Sequence, residues 1–338
     1  MMDWTDRHCR YFLRGFSPLT LLYTEMITAV AIIRGDARRF LEFDPEEHPV
    51  ALQLGGSEPR ELALAARMGE EAGYDEINLN CGCPSERVAS GAFGACLMRE
   101  PARVAECVAA MCAAVRVPVT VKMRIGVVSG TRDRWRGALQ GFDEEDYQAL
   151  HDFVGRIRLA GSSAAIVHAR KAVLGGLSPK DNRQIPPLRH DVVRRLKQAF
   201  TDLPVVVNGG FRDADGVLDA LTWCDGVMLG REAYHRPSVL IELHRALDPP
   251  ASACPDRESM LERMVRYAER QVRQGHALQA ITRHMLGLYA GEPGAKEFRR
   301  LLSEGTRLAG AGPALIRRAA SQAEAPRFRR ALGGGARA

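Results

Sequence analysis

The sequence predicts an α/β protein, a (β/α)8 or TIM barrel, with a small helical domain after it. Short apolar runs rich in β-branched residues alternate with stretches of helical period between residues 20 and 240. A strand followed by a helix, repeated along the chain, is typical of a parallel sheet covered by helices. Polar residues follow several of these strands, at the end where barrels place their active sites.

Seven strands are predicted, one fewer than a closed barrel of this type has. A helix over residues 5–16 comes before the first strand, with no strand ahead of it. The first strand of an eight-stranded barrel would therefore lie upstream of Met1. A seven-stranded or open sheet is the alternative. The predicted strands cover residues 21–24, 50–54, 76–80, 117–122, 164–168, 204–208 and 226–229.

Helices are predicted between these strands, and two of them carry start signals. Pro101 suits the first turn of a helix, where its missing N–H is not needed. Residues 143–146 are all acidic, and acidic side chains stabilise the N-terminus of a helix. The predicted helices cover residues 59–72, 101–115, 143–159, 189–200 and 213–221.

The pattern changes beyond Pro249-Pro250. Helical segments with short Gly and Pro breaks follow, which predicts a small helical domain. We therefore expect a barrel domain over residues 1–248, a helical domain over 249–323 and a disordered tail over 324–338. The predicted helices of the second domain cover residues 257–274, 278–289, 295–302 and 313–323.

Composition narrows the class of protein. Hydrophobic residues make up 46% of the chain and charged residues 26%, which is typical of a globular protein. The sequence has neither an apolar run long enough to span a membrane nor a signal peptide, so a cytoplasmic protein without a membrane partner is expected. Its eight cysteines include no CxxC pair, so neither a disulfide framework nor a metal site is expected. We expect a monomer.

The positive charge is concentrated in the C-terminal quarter. The net charge of the chain is +6, and residues 251–338 carry 15 Arg and 1 Lys against 8 acidic residues. Such a face suits a polyanion, because neutralising phosphates supplies most of the sequence-independent affinity for nucleic acid. The alternative is that an arginine-rich composition affects every surface helix equally.

The strand ends suggest a site for a phosphorylated cofactor. Gly209-Gly210 and Gly230-Arg231 follow the last two strands, where barrels commonly bind phosphate through backbone N–H groups. Lys122 is one of only five lysines, and a cation at the end of an apolar strand needs an anionic partner. Gln53 offers a donor and an acceptor to the edge of a heterocycle.

Cys83 is the candidate proton donor or nucleophile. It lies in a Gly-Cys-Pro turn directly after the third predicted strand. An ordinary thiol is mostly protonated at neutral pH, so it can donate a proton as well as attack. Cys81 lies two positions away and has three interpretations: contact with the same pocket, a strained cross-link, or simple space filling, which we favour.

The strand-end motifs resemble the tRNA-dihydrouridine synthases, over about residues 1 to 308. The segments 176–183, 185–188 and 282–288 resemble the A-type subfamily in particular. The motifs that carry the family resemblance are Met1-Met2-Asp3-Trp4-Thr5-Asp6, Tyr23-Thr24-Glu25-Met26, Gln53-Leu54-Gly55-Gly56, Asn78-Leu79-Asn80, Gly82-Cys83-Pro84-Ser85, Val121-Lys122-Met123-Arg124, His168-Ala169-Arg170-Lys171, Asn208-Gly209-Gly210 and Gly230-Arg231-Glu232-Ala233-Tyr234.

The resemblance implies NADPH-dependent reduction of uridines 20 and 20a in the D-loop of tRNA by an FMN-containing barrel enzyme. Cys83 would give a proton to C5 of the uracil while flavin N5 gives a hydride to C6, and Asn80 would hydrogen-bond the uracil. The implied FMN-binding residues are Met2, Gln53, Lys122, His168, Asn208, Gly209, Gly210, Gly230 and Arg231. The tRNA-contact candidates are Arg170, Lys180, Arg183, Arg299 and Arg300.

Two local features depart from the family pattern. Cys81 replaces a small apolar residue. The segment 126–142 is a longer loop, in which Arg132, Arg134 and Arg136 surround Trp135. Basic residues around an aromatic side chain suit RNA. A mobile surface insertion is the interpretation we favour.

Two other functions fit parts of the sequence. A flavin barrel enzyme could act on a free pyrimidine, as dihydroorotate-type oxidoreductases do, although a small substrate needs no basic helical region. A non-catalytic RNA-binding protein is the second alternative, if the late start of the barrel prevents FMN binding.

Overall fold

The computed structural model describes residues 1–85, 93–129, 135, 137, 139, 141–247, 256–308 and 310–333, with side chains through residue 325. The chain forms two compact units. The first contains Met1–Met2 and Leu21–Leu229, and the second contains Asp3–Thr20 and Gly230–Ala338. The predicted domain boundary at residue 248 lies outside the described residues.

The first unit is built on a curled parallel sheet of seven strands. Its strands pair in chain order, β1-β2-β3-β4-β6-β8-β9, while β5 and β7 pair with each other. The nine strands are β1 Leu22–Thr28, β2 Val50–Gly55, β3 Glu76–Cys81, β4 Val119–Arg124, β5 Val127–Ser129, β6 Ala164–His168, β7 Ala172–Leu174, β8 Val205–Asn208 and β9 Gly226–Met228.

The strand order identifies the fold class. In a doubly wound sheet the order reverses part-way, whereas in a barrel every new strand is added on the same side of the last. The seven predicted strands and the TIM-barrel-like fold are therefore confirmed. Sequence reasoning missed β5 and β7, because three-residue strands are too short to show a period.

Helices follow the strands and cover the sheet. The helix start predicted from the acidic run is present, and it forms a capping box in which the Asp143 side chain accepts from the Asp146 N–H at 2.9 Å. The α-helices of this unit are α2 Ala29–Arg34, α3 Ala37–Leu41, α4 Pro59–Glu71, α5 Pro101–Ala114, α6 Glu144–Leu159, α7 His190–Ala199 and α8 Ala214–Leu221. Short 3-10 helices cover Pro45–Glu47, Gly94–Arg99 and Asp181–Arg183.

The sheet register places chemically active residues side by side at the carboxyl ends of the strands. Asn80 of β3 pairs with Lys122 of β4, and Arg124 pairs with His168 of β6. His168 in turn pairs with Asn208 of β8. Because parallel strands end at the same edge, this register gathers their last side chains into one region.

The second unit is helical, and the N-terminal helix belongs to it. The α1 ring of Tyr11 stacks on Tyr267 of α11 with ring centroids 3.9 Å apart, and His8 Nδ1 lies 2.7 Å from the Tyr267 hydroxyl. The α-helices of this unit are α1 Arg7–Arg14, α9 Arg231–His235, α10 Ser238–Leu247, α11 Arg257–Arg273, α12 Leu278–Thr282, α13 Ala295–Glu304 and α14 Ala314–Gly333.

Helix α14 corrects the prediction of a disordered tail from residue 324, because it continues to Gly333. Alanine and arginine, which dominate this stretch, are both good helix formers. Residues 334–338 lie outside the described residues. In the described part of the chain, no helix is both long enough and apolar enough to cross a membrane.

Trp135 of the segment 126–142 is not available as an aromatic platform for RNA. Its side chain is only 3% exposed and packs with Leu139 and Val173 in a small hydrophobic cluster beside β5 and β7. A buried indole ring does not stack on RNA. The surrounding Arg132, Arg134 and Arg136 lie outside the described residues.

Candidate active site

The carboxyl ends of five strands of the first unit bring predicted site residues together. Each residue lies at or near the last position of its strand, on neighbouring strands of one sheet. They are Gln53 on β2, Asn80 on β3, Lys122 on β4, His168 on β6 and Asn208 on β8.

Lys122 is a cation held by a neutral partner. Its Nζ donates to Asn208 Oδ1 at 3.1 Å, and the Asn208 amide donates to the Met228 carbonyl at 2.7 Å, which fixes its oxygen toward Lys122. Among the described residues, no carboxylate forms an ion pair with Lys122. Burial, reinforced by the nearby Arg124, lowers the pKa of Lys122 to about 7. An anion bound here would stabilise the charged form of Lys122.

Arg124 is a second buried cation, which sequence reasoning did not include among the site residues. Its guanidinium donates to the carbonyls of Gly82 and Asn182, both at 3.1 Å. Burial, together with Arg170 and Arg183, lowers its pKa to about 9. Its position two residues after Lys122, on the same face of β4, was the sequence signal that could have identified it.

The loop after β8 supplies backbone N–H groups beside Lys122. Gly209 and Gly210 have φ angles of 116° and 86°, a region that favours glycine. A Cβ added to Gly209 would lie 2.7 Å from His168 Cδ2. In the described part of the chain, no acceptor is hydrogen-bonded to the N–H of either glycine. Unpaired N–H groups next to a lysine are suited to phosphate.

Cys83 is partly exposed and lies in a well-anchored turn. The backbone N–H groups of Gly82 and Cys83 both donate to Asn80 Oδ1 at 3.0 Å, and the Cys83 carbonyl accepts from Ala95 N–H at 2.9 Å. Arg124 holds the Gly82 carbonyl of the same turn. These contacts fix the backbone of the turn that carries Cys83 at the carboxyl end of β3.

Cys81 is a packing residue. Its side chain is fully buried at the end of β3, and it is a free thiol. Burial strongly raises its pKa, with smaller contributions from Cys107 and Cys96. Of the three interpretations of this residue, space filling is the one that its burial supports.

Three predicted cofactor residues are not members of the cluster at the ends of β2, β3, β4, β6 and β8. Met2 is 55% exposed. Gly230 and Arg231 belong to the second unit, where Gly230 is the N-cap of α9 and Arg231 is the first residue of that helix. Their role in binding FMN stays a prediction that rests on the motifs.

The predicted RNA-contact residues of the first unit lie near the β6 end of the sheet. Arg170 donates to the backbone carbonyls of Gln184 and Pro186. Lys180 is exposed, and it precedes the 3-10 helix that Arg183 ends. Buried Asn182, between them, exchanges hydrogen bonds with the Val173 backbone. The segment that carries the two basic residues is therefore fixed to the rest of the unit.

Arg299 and Arg300 lie next to each other on α13 but differ in their partners. Both side chains are exposed. Arg300 forms ion pairs with Glu297 and Glu304, whereas Arg299 has no ion pair with a described residue. The charge of Arg299 is the more available for a phosphate.

The segment 282–288 has a structural role in the second unit. His284 is buried, with Nε2 3.0 Å from an Asp6 carboxylate oxygen and Nδ1 3.2 Å from the Tyr234 hydroxyl. Burial raises the pKa of Asp6, but His284, the Cys9 N–H and Arg283 outweigh that effect and hold it well below its usual range. The motif thus ties α1 to the helices that follow.

Comparison with known proteins places the chain in a family. A model of the family described as dihydrouridine synthase matches residues 1–324. The chain belongs to the dihydrouridine synthase family. The resemblance predicted from the strand-end motifs is therefore confirmed.

Similar proteins cover nearly the whole chain. A protein of Xanthomonas axonopodis pv. citri named tRNA-dihydrouridine(20/20a) synthase is 51% identical over 97% of this chain and 94% of its own length. Proteins with the same name from Pseudomonas aeruginosa and a Synechocystis species are 52% and 51% identical. The alignments cover 90% and 94% of this chain, and 87% and 91% of the relatives.

Proposed function

We propose that this protein reduces the C5–C6 double bond of uridine to 5,6-dihydrouridine at positions 20 and 20a of the tRNA D-loop, with bound FMN and with NADPH as reductant. The names of the similar proteins specify dihydrouridine synthesis in tRNA and the positions 20 and 20a. Enzymes of the family are flavin-dependent and generally use NADPH. We expect a monomer that acts in the cytoplasm.

The proposal rests mainly on two neighbouring features of the site. Lys122 is half-buried and Arg124 is buried, and neither forms an ion pair with a carboxylate among the described residues. Backbone N–H groups without an acceptor in the described part of the chain lie near them, since Gly209 and Gly210 lie beside Asn208 in the loop after β8. Burying a charge is costly unless it is paired, so the site needs an anionic occupant. FMN carries a phosphate and electron-rich ring atoms, which fit these groups.

We assign the FMN contacts by the chemistry of each side chain. Lys122 would hold an electron-rich atom of the cofactor, and Gln53 would offer a donor and an acceptor to the ring edge. Gly209 and Gly210 would donate N–H groups to phosphate oxygens, with His168 and Asn208 beside them. Met2, Gly230 and Arg231 remain proposed ligands on the strength of their motifs.

Cys83 supplies the acid of the reaction. The reduced flavin, when bound, provides the hydride that goes to C6 of the uracil. C5 then needs a proton, which the Cys83 thiol donates, and the resulting thiolate regains a proton from solvent. The Asn80 side chain and Arg124 hold the turn that carries Cys83, so the acid stays in place when the substrate enters.

The target uracil must leave the base stack to reach this site. Unstacking costs a few kcal/mol and costs least in a loop, which favours a D-loop uridine over a paired one. Asn80 uses one amide hydrogen for Gln53, and the other can donate to a uracil carbonyl. Arg170, Lys180, Arg183, Arg299 and Arg300 are the proposed contacts to the RNA.

An absorbance measurement tests the proposal. The purified protein should show a flavin band that NADPH bleaches under argon, and tRNA lacking dihydrouridine should restore the band as dihydrouridine forms. Equal activity on free uracil or orotate would favour the free-pyrimidine alternative. A protein that takes up no FMN but binds tRNA would favour the non-catalytic alternative and contradict the proposal.

A further inference from the structure

A continuous chain of side-chain hydrogen bonds crosses the inner face of the sheet. Thr120 Oγ1 donates to Glu76 Oε1 at 2.6 Å, and Asn78 Nδ2 donates to Thr120 Oγ1 at 2.8 Å. Gln53 Nε2 donates to Asn78 Oδ1 at 2.9 Å, and Asn80 Nδ2 donates to Gln53 Oε1 at 2.8 Å. This series of hydrogen bonds begins at Glu76, near the start of β3. It passes through Thr120 on β4, Asn78 on β3 and Gln53 on β2, and it ends at Asn80 on β3, close to Cys83.

The two ends of this chain fix the direction of every bond in it. At one end the Glu76 carboxylate can only accept, so the Thr120 hydroxyl must donate to it and accept from Asn78. At the other end the backbone N–H groups of Gly82 and Cys83 can only donate, so Asn80 must present its oxygen to them. Gln53, between the two, then has one allowed amide orientation.

Burial makes this orientation costly to reverse. Asn78 is 0% exposed, Thr120 is 2% exposed, and Gln53 and Asn80 are each 8% exposed. A flipped amide at any of these positions would bring two donors or two acceptors together where water cannot replace the lost bond. The network therefore has a single arrangement, set by its ends.

Glu76 anchors the network in a partly buried position. The Tyr23 hydroxyl also donates to its Oε1, at 2.7 Å. Burial raises the pKa of the Glu76 carboxyl, while the hydrogen bonds from Thr120 and Tyr23 act in the opposite direction. Tyr23 contacts the same oxygen as Thr120 but lies outside the chain that leads to Gln53.

We propose that Thr120 is a positioning residue: it fixes the Asn78 amide that accepts from Gln53 Nε2, while Asn80 donates to Gln53 Oε1, so that the Gln53 amide is held from both sides as it faces the cofactor. This inference rests on the proposed function, in which Gln53 binds the flavin ring. Without the Thr120 hydroxyl the buried Asn78 amide loses its acceptor, and if it turns away Gln53 is held by Asn80 alone. Asn80 keeps its orientation, because the backbone of the Cys83 turn holds it.

Three variants separate this role from general destabilisation. Thr120→Val removes the hydroxyl at nearly constant volume, and Thr120→Ser restores it. Tyr23→Phe is the matched control, since it removes a hydroxyl from the same Glu76 oxygen without breaking the chain. FMN affinity of each apo-protein is measured by fluorescence titration, together with the absorption spectrum of the bound flavin and the affinity for tRNA.

Thr120→Val should bind FMN about tenfold more weakly, with a shifted flavin spectrum, because Asn78 turns to another acceptor in the apo-protein and FMN binding must then restore the Gln53–Asn78 contact at the expense of about one hydrogen bond. Thr120→Ser and Tyr23→Phe should stay within about twofold of wild type, and tRNA affinity should be unchanged in all three. If Thr120→Val does not fold, Thr120→Ala removes the same hydroxyl and should give the same loss of FMN affinity.

Two results overturn the inference. One is a hydroxyl-free variant that binds FMN with wild-type affinity and spectrum. The other is an equal loss in Tyr23→Phe, which would show loosening of the sheet instead of transmission through Thr120. A wild-type protein that takes up no FMN contradicts the proposed function itself, and the inference with it.

Discussion

Lys122→Met should stabilise the apo-protein and weaken FMN binding. The pKa of Lys122 falls from an ordinary 10.5 to about 7, because the cation is largely removed from water and lies near Arg124, with the neutral Asn208 as its hydrogen-bond partner. At 1.36 kcal/mol per pKa unit the upper bound is about 5 kcal/mol, and partial exposure of the side chain reduces this to about 1–3 kcal/mol. Methionine fills similar volume without the charge.

The pH dependence of this effect has a definite sign. Between about pH 7 and pH 10.5 the unfolded chain binds more protons at Lys122 than the folded one, so wild-type stability rises with pH in this window. The destabilisation caused by the charge on Lys122 has its full size below about pH 7, and it disappears above the pKa of about 10.5 that Lys122 has in the unfolded chain. Apo Lys122→Met should therefore melt at a higher temperature than wild type near pH 6, and the difference should vanish toward pH 10.5.

Lys197→Met is the matched control. Lys197 has an acidic partner, Asp225, at 2.9 Å. Its replacement should lower the melting temperature or leave it unchanged, and FMN binding should stay as in wild type. Lys122→Met should bind FMN roughly tenfold or more weakly, since hydrogen bonds to charged groups contribute about 1.5–3 kcal/mol. The reasoning is refuted if Lys122→Met is no more stable than wild type at pH 6, or if it retains FMN as tightly.

Three further predictions concern other parts of the chain. Arg299→Ala should weaken tRNA binding and lower the slope of log binding constant against log salt concentration by about one. Arg300→Ala removes a side chain that is already paired with two glutamates, so it should change both quantities less. Filter binding at several salt concentrations checks this. Asp6→Asn should lower the melting temperature at pH 7, with a cost of about 1–3 kcal/mol. The deficit should begin to shrink below about pH 4 and continue to shrink as the pH falls toward the lowered folded pKa of Asp6, so a deficit as large at pH 2 as at pH 7 would contradict this. Gly209→Ala should lose FMN affinity, since the added Cβ would lie 2.7 Å from the His168 ring. Gly275 also has a positive φ, but the space around an added Cβ is open. Gly275→Ala should therefore lower stability without affecting FMN binding.

The sequence was most informative at the ends of the strands, where polar residues and glycines recur. Lys122, Asn208 and the two glycines after it were each identified at a strand end, and the parallel sheet brings them together. Periodicity shows that a strand exists and where it ends, and parallel strands share the edge at which they end. That logic is enough to predict a cofactor site.

The remaining features depend on contacts that no local pattern encodes. Glu76 and Thr120 look like ordinary strand residues until the register places them 2.6 Å apart. Asp6 and His284 are far apart in sequence, yet their contact joins α1 to the other helices of the second unit. Trp135 lies in a stretch rich in Gly and Arg, which suggests an exposed loop, but β5 and β7 provide a buried surface for it.

The most direct test of the central claim is dihydrouridine formation by pre-reduced enzyme in a single turnover. Wild type, Cys83→Ala and Cys81→Ala are mixed with unmodified tRNA under argon, and flavin reoxidation and dihydrouridine are followed together. Cys83→Ala should retain FMN and tRNA but lose about 100-fold or more in rate, the usual contribution of a general acid. Cys81→Ala, which alters a buried packing residue two positions away, should react as wild type does. Dihydrouridine formation at the wild-type rate in Cys83→Ala would contradict the account.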